Sequence, residues 1–257
     1  MSKTPESESE QTWLVFPRRN LQARLRLFCF PYAGGAASVF RQWAEGAPQE
    51  IEVVAIQLPG RENRWREPAV ASMCEVIEPL RESILPCLGL PFAFFGHSLG
   101  ALVAFELARL LHRRSDPQPI QLFVSGRRAP QLPPRRPPVH ALPDAELVDF
   151  LRRLNGIPQE ILGNQEVMSL FLPVIRADFS VNETYSYAAE QTLECPIWAF
   201  GGLEDSEVDR ESLEAWDRHT AASFSVRMFP GDHFYLHANR TPLTRLIFHR
   251  LLASLRR

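Results

Sequence analysis

The sequence predicts an α/β fold with a mostly parallel central sheet, helices on both faces and a helical lid insertion. Three observations support it. Apolar segments alternate with amphipathic helical patterns over residues 25–126, as in βαβ units. A glycine-serine-glycine motif separates an apolar segment from a helical pattern. Residues 127–194, rich in proline and then in helical patterns, separate two later strands.

Length and composition fit a single large domain. The chain has 257 residues, of which 45% are hydrophobic and 23% charged, as in globular proteins. With a formal net charge of -2, the whole surface does not favour nucleic acid, and no apolar window approaches the ~18 residues of a membrane span. The N-terminal MSKTPESESEQ lacks the basic and apolar regions of an export signal. We expect a disordered tail over 1–12, one domain over 13–257, and a cytoplasmic location.

Six apolar segments predict the strands. They are bounded by turn residues, and they are short enough for buried strands. The segments lie at 25–30, 52–58, 91–97, 120–126, 195–202 and 224–231. Helical patterns with apolar residues three and four positions apart occur at 72–88 and 99–114, and further helices are expected at 210–219 and 241–257. This order predicts a parallel sheet that is covered on both faces.

The stretch from 127 to 194 is too long to be a simple connection between strands. It begins with the proline-rich APQLPPRRPPVHALP and continues with two helical patterns, DAELVDFLRRLNG and EVMSLFLPVIRADFSVNETYS. We expect these helices to form a lid over the C-terminal edge of the sheet.

The cysteines predict neither a metal site nor a disulfide framework. Cys29, Cys74, Cys87 and Cys195 have no C-x-x-C spacing. Cys29 lies inside the apolar LFCF, where a small buried residue is expected rather than a nucleophile. We expect no metal ligands in this chain.

Residues 96–100, GHSLG, form the strongest local motif. In a G-x-S-x-G turn between strand and helix, the serine occupies a strained corner and the glycines let the two backbones approach. The motif predicts Ser98 as a nucleophile; the alternative is an ordinary glycine-rich turn.

A serine hydroxyl needs a base to remove its proton and an acid to orient that base. His233 directly follows the last strand, in PGDHFYLHAN, and is the predicted base, with His237 as the alternative. GGLEDSEVD follows the preceding strand; we predict Asp205 as the acid, with Glu204 as the alternative. Asp232 is interpreted as a turn residue. The order serine, acid, histidine is that of the α/β-hydrolase fold.

A tetrahedral intermediate requires two N–H donors. The backbone of Leu99, the residue after the nucleophile, is one candidate, and the loop Tyr32-Ala33-Gly34-Gly35 is the other. That loop is also explained as a turn that needs glycine.

Several motifs together resemble one family. FCFPYAGG, LPGRENRWREP, FFGHSLGALVAFELAR, VIRADFSVNETYSY, CPIWAFGGLEDSEV and FPGDHFYL resemble the stand-alone type II thioesterases of polyketide and non-ribosomal peptide assembly lines, from about Arg26 to the C-terminus. Tyr32 stands where that family often has histidine or phenylalanine.

The resemblance implies hydrolysis of acyl groups from the phosphopantetheine arm of acyl or peptidyl carrier proteins. It implies the triad Ser98, Asp205 and His233, an oxyanion hole from the backbones of Ala33 and Leu99, and no cofactor other than the arm on the substrate. We expect a monomer whose partners are the carrier domains of polyketide synthases or non-ribosomal peptide synthetases, with no nucleic acid or membrane partner.

Two features of the lid bear on substrate and partner. Its apolar residues line an acyl channel or simply pack the helices; they are Phe150, Leu154, Phe171, Phe179 and Tyr185. Its arginines either face an acidic carrier protein or pair with acids of the lid itself. They are Arg127, Arg128, Arg135, Arg136, Arg152 and Arg153.

Two other functions stay open on the residues. An esterase or acyltransferase of the same fold is disfavoured by PYAGG, which replaces the HGGG common in esterases, and by the RADF stretch. A non-catalytic binding protein would not need a complete triad.

Overall fold

The computed structural model describes residues 13–256, and these residues contain a seven-stranded sheet with strand order β1-β3-β2-β4-β5-β6-β7. The strands are β1 Leu14–Val15, β2 Leu25–Phe30, β3 Ile51–Ile56, β4 Phe92–His97, β5 Gln121–Ser125, β6 Ile197–Gly202 and β7 Phe224–Phe229. Strand β1 is antiparallel to β3, and all other pairs are parallel. The α/β fold with a mostly parallel sheet is confirmed. The tail predicted over 1–12 lies outside the described residues.

All six predicted strands are present, and their ends shift by a few residues. The segment predicted at 52–58 forms a strand over Ile51–Ile56, and the one predicted at 224–231 ends at Phe229. Strand β1 was not predicted, because two residues at a sheet edge leave no alternating pattern to detect.

The helices are α1 Arg41–Glu45, α2 Met73–Ile84, α3 Leu99–Arg113, α4 Asp144–Leu154, α5 Gln159–Leu162, α6 Gln165–Glu183, α7 Arg210–Glu214, α8 Tyr235–Ala238 and α9 Arg240–Ser254. The helix predicted over 72–88 ends at Ile84 and continues as a 3₁₀ turn over Leu85–Cys87, where Pro86 has no N–H to extend the α-helical ladder. The one predicted over 210–219 is α-helical only to Glu214. Helices α1, α5 and α8 were not predicted, since each spans only four or five residues.

Alternate residues of each strand belong to opposite faces of the sheet. In β2, Phe28 and Phe30 join the core beneath α2 and α3, whereas Leu27 and Cys29 join the core beneath α1 and α9. This two-sided burial is what a period of two produces in a doubly covered sheet. Burial raises the pKa of the Cys29 thiol, in keeping with its predicted packing role.

The segment between β5 and β6, residues 126–196, is here called the insertion. It contains α4, α5 and α6. Its helices share a separate apolar cluster that includes Leu147, Phe150, Leu172 and Phe179. None of the helices in residues 13–256 combines the length and apolar composition that a membrane crossing needs.

Candidate active site

Ser98 lies at a strained corner between β4 and α3. Its backbone has φ 54° and ψ -115°, a conformation that L-residues rarely adopt. Strained backbone of this kind is concentrated at functional sites. The flanking glycines are required by close approach. A Cβ at Gly96 would lie 2.2 Å from the Gly100 oxygen, and one at Gly100 would lie 2.1 Å from the Phe30 oxygen. The local geometry is that of a nucleophile elbow.

The predicted acid and base meet at the same edge of the sheet. His233 Nδ1 lies 2.8 Å from Asp205 Oδ2. The other oxygen of Asp205 accepts the backbone N–H groups of Glu207 at 2.8 Å and Val208 at 3.2 Å. The carboxylate is fully buried and the imidazole side chain is 10% exposed. Because Nδ1 is bound to the carboxylate, Nε2 of a neutral His233 is left as the proton acceptor.

Ser98 and His233 line one cavity. The imidazole of His233 packs against that of His97, the residue before Ser98, with 5.2 Å between ring centroids. Within residues 13–256 no hydrogen bond joins the Ser98 hydroxyl to His233. Contacts of this kind often tighten only when substrate is bound.

The alternative acid and base residues are engaged elsewhere. His237 Nε2 lies 3.0 Å from the Tyr32 hydroxyl, and burial lowers the pKa of this histidine. Glu204 accepts the Gly231 backbone N–H. Asp232 accepts the Phe234 N–H at 2.8 Å, as expected of a turn residue. The structure therefore brings Asp205, rather than Glu204 or Asp232, to the imidazole of His233.

The two predicted oxyanion donors also line the cavity. In the described part of the chain, neither the Ala33 nor the Leu99 backbone N–H has an intramolecular acceptor. The loop over residues 32–35, here called the oxyanion loop after its predicted donor Ala33, is a turn in which the Gly35 N–H donates to the Tyr32 oxygen at 2.8 Å. Gly34 has φ 76°, which a type II turn requires at this position.

The cavity between the sheet edge and the insertion has a volume of about 380 Å³. Four of the five predicted channel residues line it: Leu154, Phe171, Phe179 and Tyr185. The fifth, Phe150, does not line the cavity and packs inside the insertion. The Arg136 guanidinium carbon lies 4.3 Å from the centroid of the Phe150 ring. Apolar side chains of α6 and α4 thus form much of the chamber in front of Ser98.

The arginines of the insertion are only partly available to a partner. Arg135 pairs with Asp209, Arg136 with Glu183 and Glu207, and Arg152 with Asp149. Arg127 donates to Asn182 and Arg128 to the Pro133 oxygen. Burial lowers the pKa of Arg127 to about 10. Two of the six, Arg136 and Arg152, therefore pair with acids of the insertion itself, whereas Arg135 pairs with an acid outside it.

Two charged side chains beside the site were not predicted to take part in it. Arg61 and Asp178 form a buried ion pair against the oxyanion loop. Both were inside motifs already noted, PGR and RADF. The sequence signals that point to this pair are an acid on the apolar face of α6 and an arginine in the loop after a buried strand, since each charge is costly to bury alone.

A buried chain of hydroxyls lies behind the elbow. His97 Nδ1 is 2.8 Å from Ser125 Oγ, which is 2.5 Å from the Tyr235 hydroxyl. Burial lowers the pKa of His97 well below its ordinary range. This imidazole is thus directed into the protein rather than into the cavity.

Comparison with known proteins identifies the family. The model of the thioesterase domain family matches residues 25–251. The gramicidin S biosynthesis protein GrsT of Aneurinibacillus migulanus is 48% identical over 93% of this chain and 93% of its own length. The thioesterase PikA5 of Streptomyces venezuelae is 41% identical over 92% of this chain and 84% of its own. The solved structure of the type II thioesterase BorB from the borrelidin biosynthetic cluster superimposes with a TM-score of 0.87 and 34% identity, covering 95% of this chain and 99% of that one.

The fold and the strained serine corner define an α/β hydrolase. The chain belongs to the thioesterase family, and within it to the type II thioesterases of polyketide and non-ribosomal peptide biosynthesis. It is a hydrolase that acts on thioesters.

Proposed function

We propose that this thioesterase removes acyl groups from the phosphopantetheine arm of acyl or peptidyl carrier proteins, through an acyl-enzyme on Ser98. The observation that carries the proposal is the Asp205–His233 hydrogen bond of 2.8 Å at the cavity that also contains Ser98. The removed groups are those that stall or mis-prime the assembly line. The relatives support this substrate class, since one is named for gramicidin S biosynthesis and another for the borrelidin cluster.

The first half-reaction acylates the serine. Ser98 Oγ attacks the thioester carbonyl carbon while its proton passes to His233 Nε2, and Asp205 stabilises the imidazolium that forms. The oxyanion receives hydrogen bonds from the Ala33 and Leu99 N–H groups. The carbon–sulfur bond then breaks, the pantetheine sulfur takes the proton from His233 Nε2 and leaves as a thiol, and His233 is neutral again. A thiolate leaves more readily than an alkoxide, so collapse needs less help from a general acid.

The second half-reaction releases the acid. His233 takes a proton from water, the hydroxide oxygen bonds to the acyl carbon, and the ester bond to Ser98 breaks as Oγ regains a proton from His233. The same two N–H donors stabilise this second oxyanion. The chain's own residues supply every proton transfer in the cycle.

The cavity suits an acyl group of limited size. Its volume of about 380 Å³ lies near the lower end of ligand pockets. The apolar side chains Leu154, Phe171 and Phe179 along its wall favour hydrocarbon over charged acyl chains. The absence of a bound cofactor, the monomeric state and the cytoplasmic location stay predictions.

The test is intact-mass measurement of a panel of acyl carrier proteins, with matched acyl-CoA and p-nitrophenyl esters. We expect the carrier-bound thioesters to be hydrolysed fastest, and an acyl adduct to map to Ser98. The Ser98→Ala variant should lose both turnover and adduct. Oxygen esters hydrolysed faster than carrier thioesters would support the esterase alternative, and full turnover by Ser98→Ala would exclude the acyl-enzyme.

The arginine-rich rim gives a separate test of the partner. Reversal of Arg135 and Arg136 to glutamate should raise KM for carrier-bound substrates without raising it for free-thiol thioesters if the rim faces an acidic carrier. Equal effects on both substrate types would show that these arginines serve only their internal pairs with Asp209 and Glu183.

A further inference from the structure

Arg61 and Asp178 form an ion pair that the reaction scheme does not use. Arg61 Nη1 lies 2.7 Å from Asp178 Oδ2, and Nη2 lies 2.8 Å from Oδ1. The two side chains are 6% and 1% exposed. A buried pair of this kind rarely stabilises a protein more than apolar residues of the same volume would. Its presence beside the active site therefore calls for a role other than stability.

Both members of the pair also hold the oxyanion loop. Asp178 Oδ2 accepts the Gly34 backbone N–H at 2.7 Å. Arg61 Nη1 donates to the Gly35 oxygen at 3.2 Å. The N–H in the middle of the turn and the carbonyl at its end are thus bound from the same side by one charged unit.

The geometry of the turn connects these contacts to the proposed donor. In a trans peptide the C=O and the following N–H point in opposite directions. The Tyr32 carbonyl is bound inside the turn by the Gly35 N–H, so the Ala33 N–H of the same peptide is directed outward. This arrangement lasts only while the Gly34 peptide keeps its orientation, and that peptide is the one that Asp178 holds.

The two charged residues come from different parts of the chain. Arg61 lies in the loop after β3, where Gln57 donates to its carbonyl at 2.9 Å and accepts the Ala37 N–H at 2.7 Å. Asp178 lies on α6 of the insertion, one turn after Ile175, whose Cγ1 would be 3.1 Å from a Cβ at Gly34. The insertion therefore contacts the oxyanion loop through both a charge and an apolar side chain.

We propose that Arg61 and Asp178 are positioning residues that hold the Ala33 N–H in the orientation needed to stabilise the oxyanion. This inference rests on the proposed function, because it assigns the pair to the same reaction. An oxyanion hole stabilises the transition state and not the bound substrate. Loss of the pair therefore lowers kcat and leaves KM largely unchanged.

The experiment compares Asp178→Asn with a matched control, Glu52→Gln. Glu52 is also a buried carboxylate, 2% exposed, that binds an arginine, Arg26, at 2.9 Å and one backbone N–H, that of Asn20, at 3.0 Å. It lies at the start of β3, at the opposite edge of the sheet from Ser98. Both variants leave an arginine without its charged partner, so both are expected to lower Tm.

Only Asp178→Asn should alter catalysis. We expect kcat for an acyl thioester to fall by about 10²-fold, as for the loss of an oxyanion donor, with KM within about threefold of wild type. A trifluoromethyl ketone that adds Ser98 Oγ to its carbonyl carbon, with the serine proton passing to His233, carries an oxyanion. Its affinity should fall by the same factor as kcat, whereas Glu52→Gln should keep both values.

A second variant covers the case in which Asp178→Asn does not fold. The double variant Arg61→Met, Asp178→Leu replaces both charged side chains with apolar side chains of similar volume, so it should fold. Its kcat should fall by the same factor as that of Asp178→Asn. The role is overturned if this folded double variant keeps wild-type kcat and inhibitor affinity, or if Asp178→Asn and Glu52→Gln lower them equally. A Ser98→Ala variant as active as wild type would instead overturn the proposed function itself, and the positioning role with it.

Discussion

The sheet edge and the insertion are held by different kinds of interaction. At the sheet edge, backbone hydrogen bonds continue the strands into the loops that carry the proposed reacting groups. The Ser98 N–H donates to the Ser125 oxygen at 2.8 Å, and the Leu203 N–H donates to the Phe229 oxygen at 2.8 Å. The insertion depends instead on side chains, including the Arg136–Glu183 pair and its own apolar cluster. The proposed reacting groups are therefore placed by strand register, and the chamber in front of them is formed by contacts between side chains.

The largest expected effect follows from replacing the acid at the sheet edge. Asp205→Asn keeps the shape of the side chain but no longer stabilises the imidazolium, so kcat should fall by about 10⁴-fold. The neighbouring Glu204→Gln is the control, because its contact is with the Gly231 N–H and not with His233. Thioester turnover of both variants at saturating substrate measures this. Equal losses would contradict the assignment of Asp205.

Close packing behind the elbow should make that region sensitive to one added methyl group. At Gly126, φ is 55° and a Cβ would lie 2.5 Å from His97 Cε1. We expect Gly126→Ala to lower the free energy of unfolding by about 3 kcal/mol, from steric overlap and the unfavourable backbone conformation.

Gly163 of the insertion is the matched comparison. It has φ -80°, in the right-handed helical region, and Gly163→Ala should change stability by less than about 0.5 kcal/mol. Denaturant unfolding of the two variants tests the contrast. A similar loss at both positions would show that the insertion is as tightly packed as the sheet edge.

A smaller effect is expected inside the insertion. Arg136→Ala removes contacts with Glu183, Glu207 and the Phe150 ring, and should destabilise by about 1–2 kcal/mol. Because the insertion has its own cluster, amide exchange should accelerate in α4 and α6 and not in β4. The exposed Arg152→Ala is the control, and uniform acceleration through the sheet would contradict a separate core.

The smallest expected effect lies where the two regions meet. Asp209 caps α7 by accepting the Ser212 N–H at 2.8 Å. Hydrogen bonds from the Ser212 side chain and backbone lower the pKa of Asp209 from 3.8 to about 2. Asp209→Ala should cost about 1 kcal/mol at neutral pH.

The pH dependence of that cost has a definite sign. A carboxyl whose pKa is lower in the folded state stabilises above its unfolded pKa, so the contribution is complete above pH 3.8 and is lost as the pH falls through about 2. The difference in unfolding free energy between wild type and Asp209→Ala should shrink over that range. A difference that stays constant down to pH 2 would rule out the carboxylate as the cap. Asp217→Ala, at an exposed position, is the control.

The sequence by itself determined the sheet and indicated where along the chain the proposed reacting groups lie. Buried strands appear in the sequence as apolar runs, and the G-x-S-x-G pattern marks Ser98. Asp205 and His233 follow the ends of two later strands, and parallel strands bring their carboxyl ends to one edge. Periodicity and motif spacing are local properties, so they can be identified without coordinates. The sequence favoured His233 as the base, however, without excluding His237.

Only the tertiary structure decided which side chains meet across long separations in sequence. It placed His237 against Tyr32 and His233 against Asp205, and it paired Arg61 with Asp178. It also turned half of the arginine-rich rim toward acids of this chain. The Arg61–Asp178 contact depends on how α6 of the insertion packs over the sheet, and the other two contacts depend on how separate loops converge at the sheet edge. No local pattern in the sequence encodes these distances.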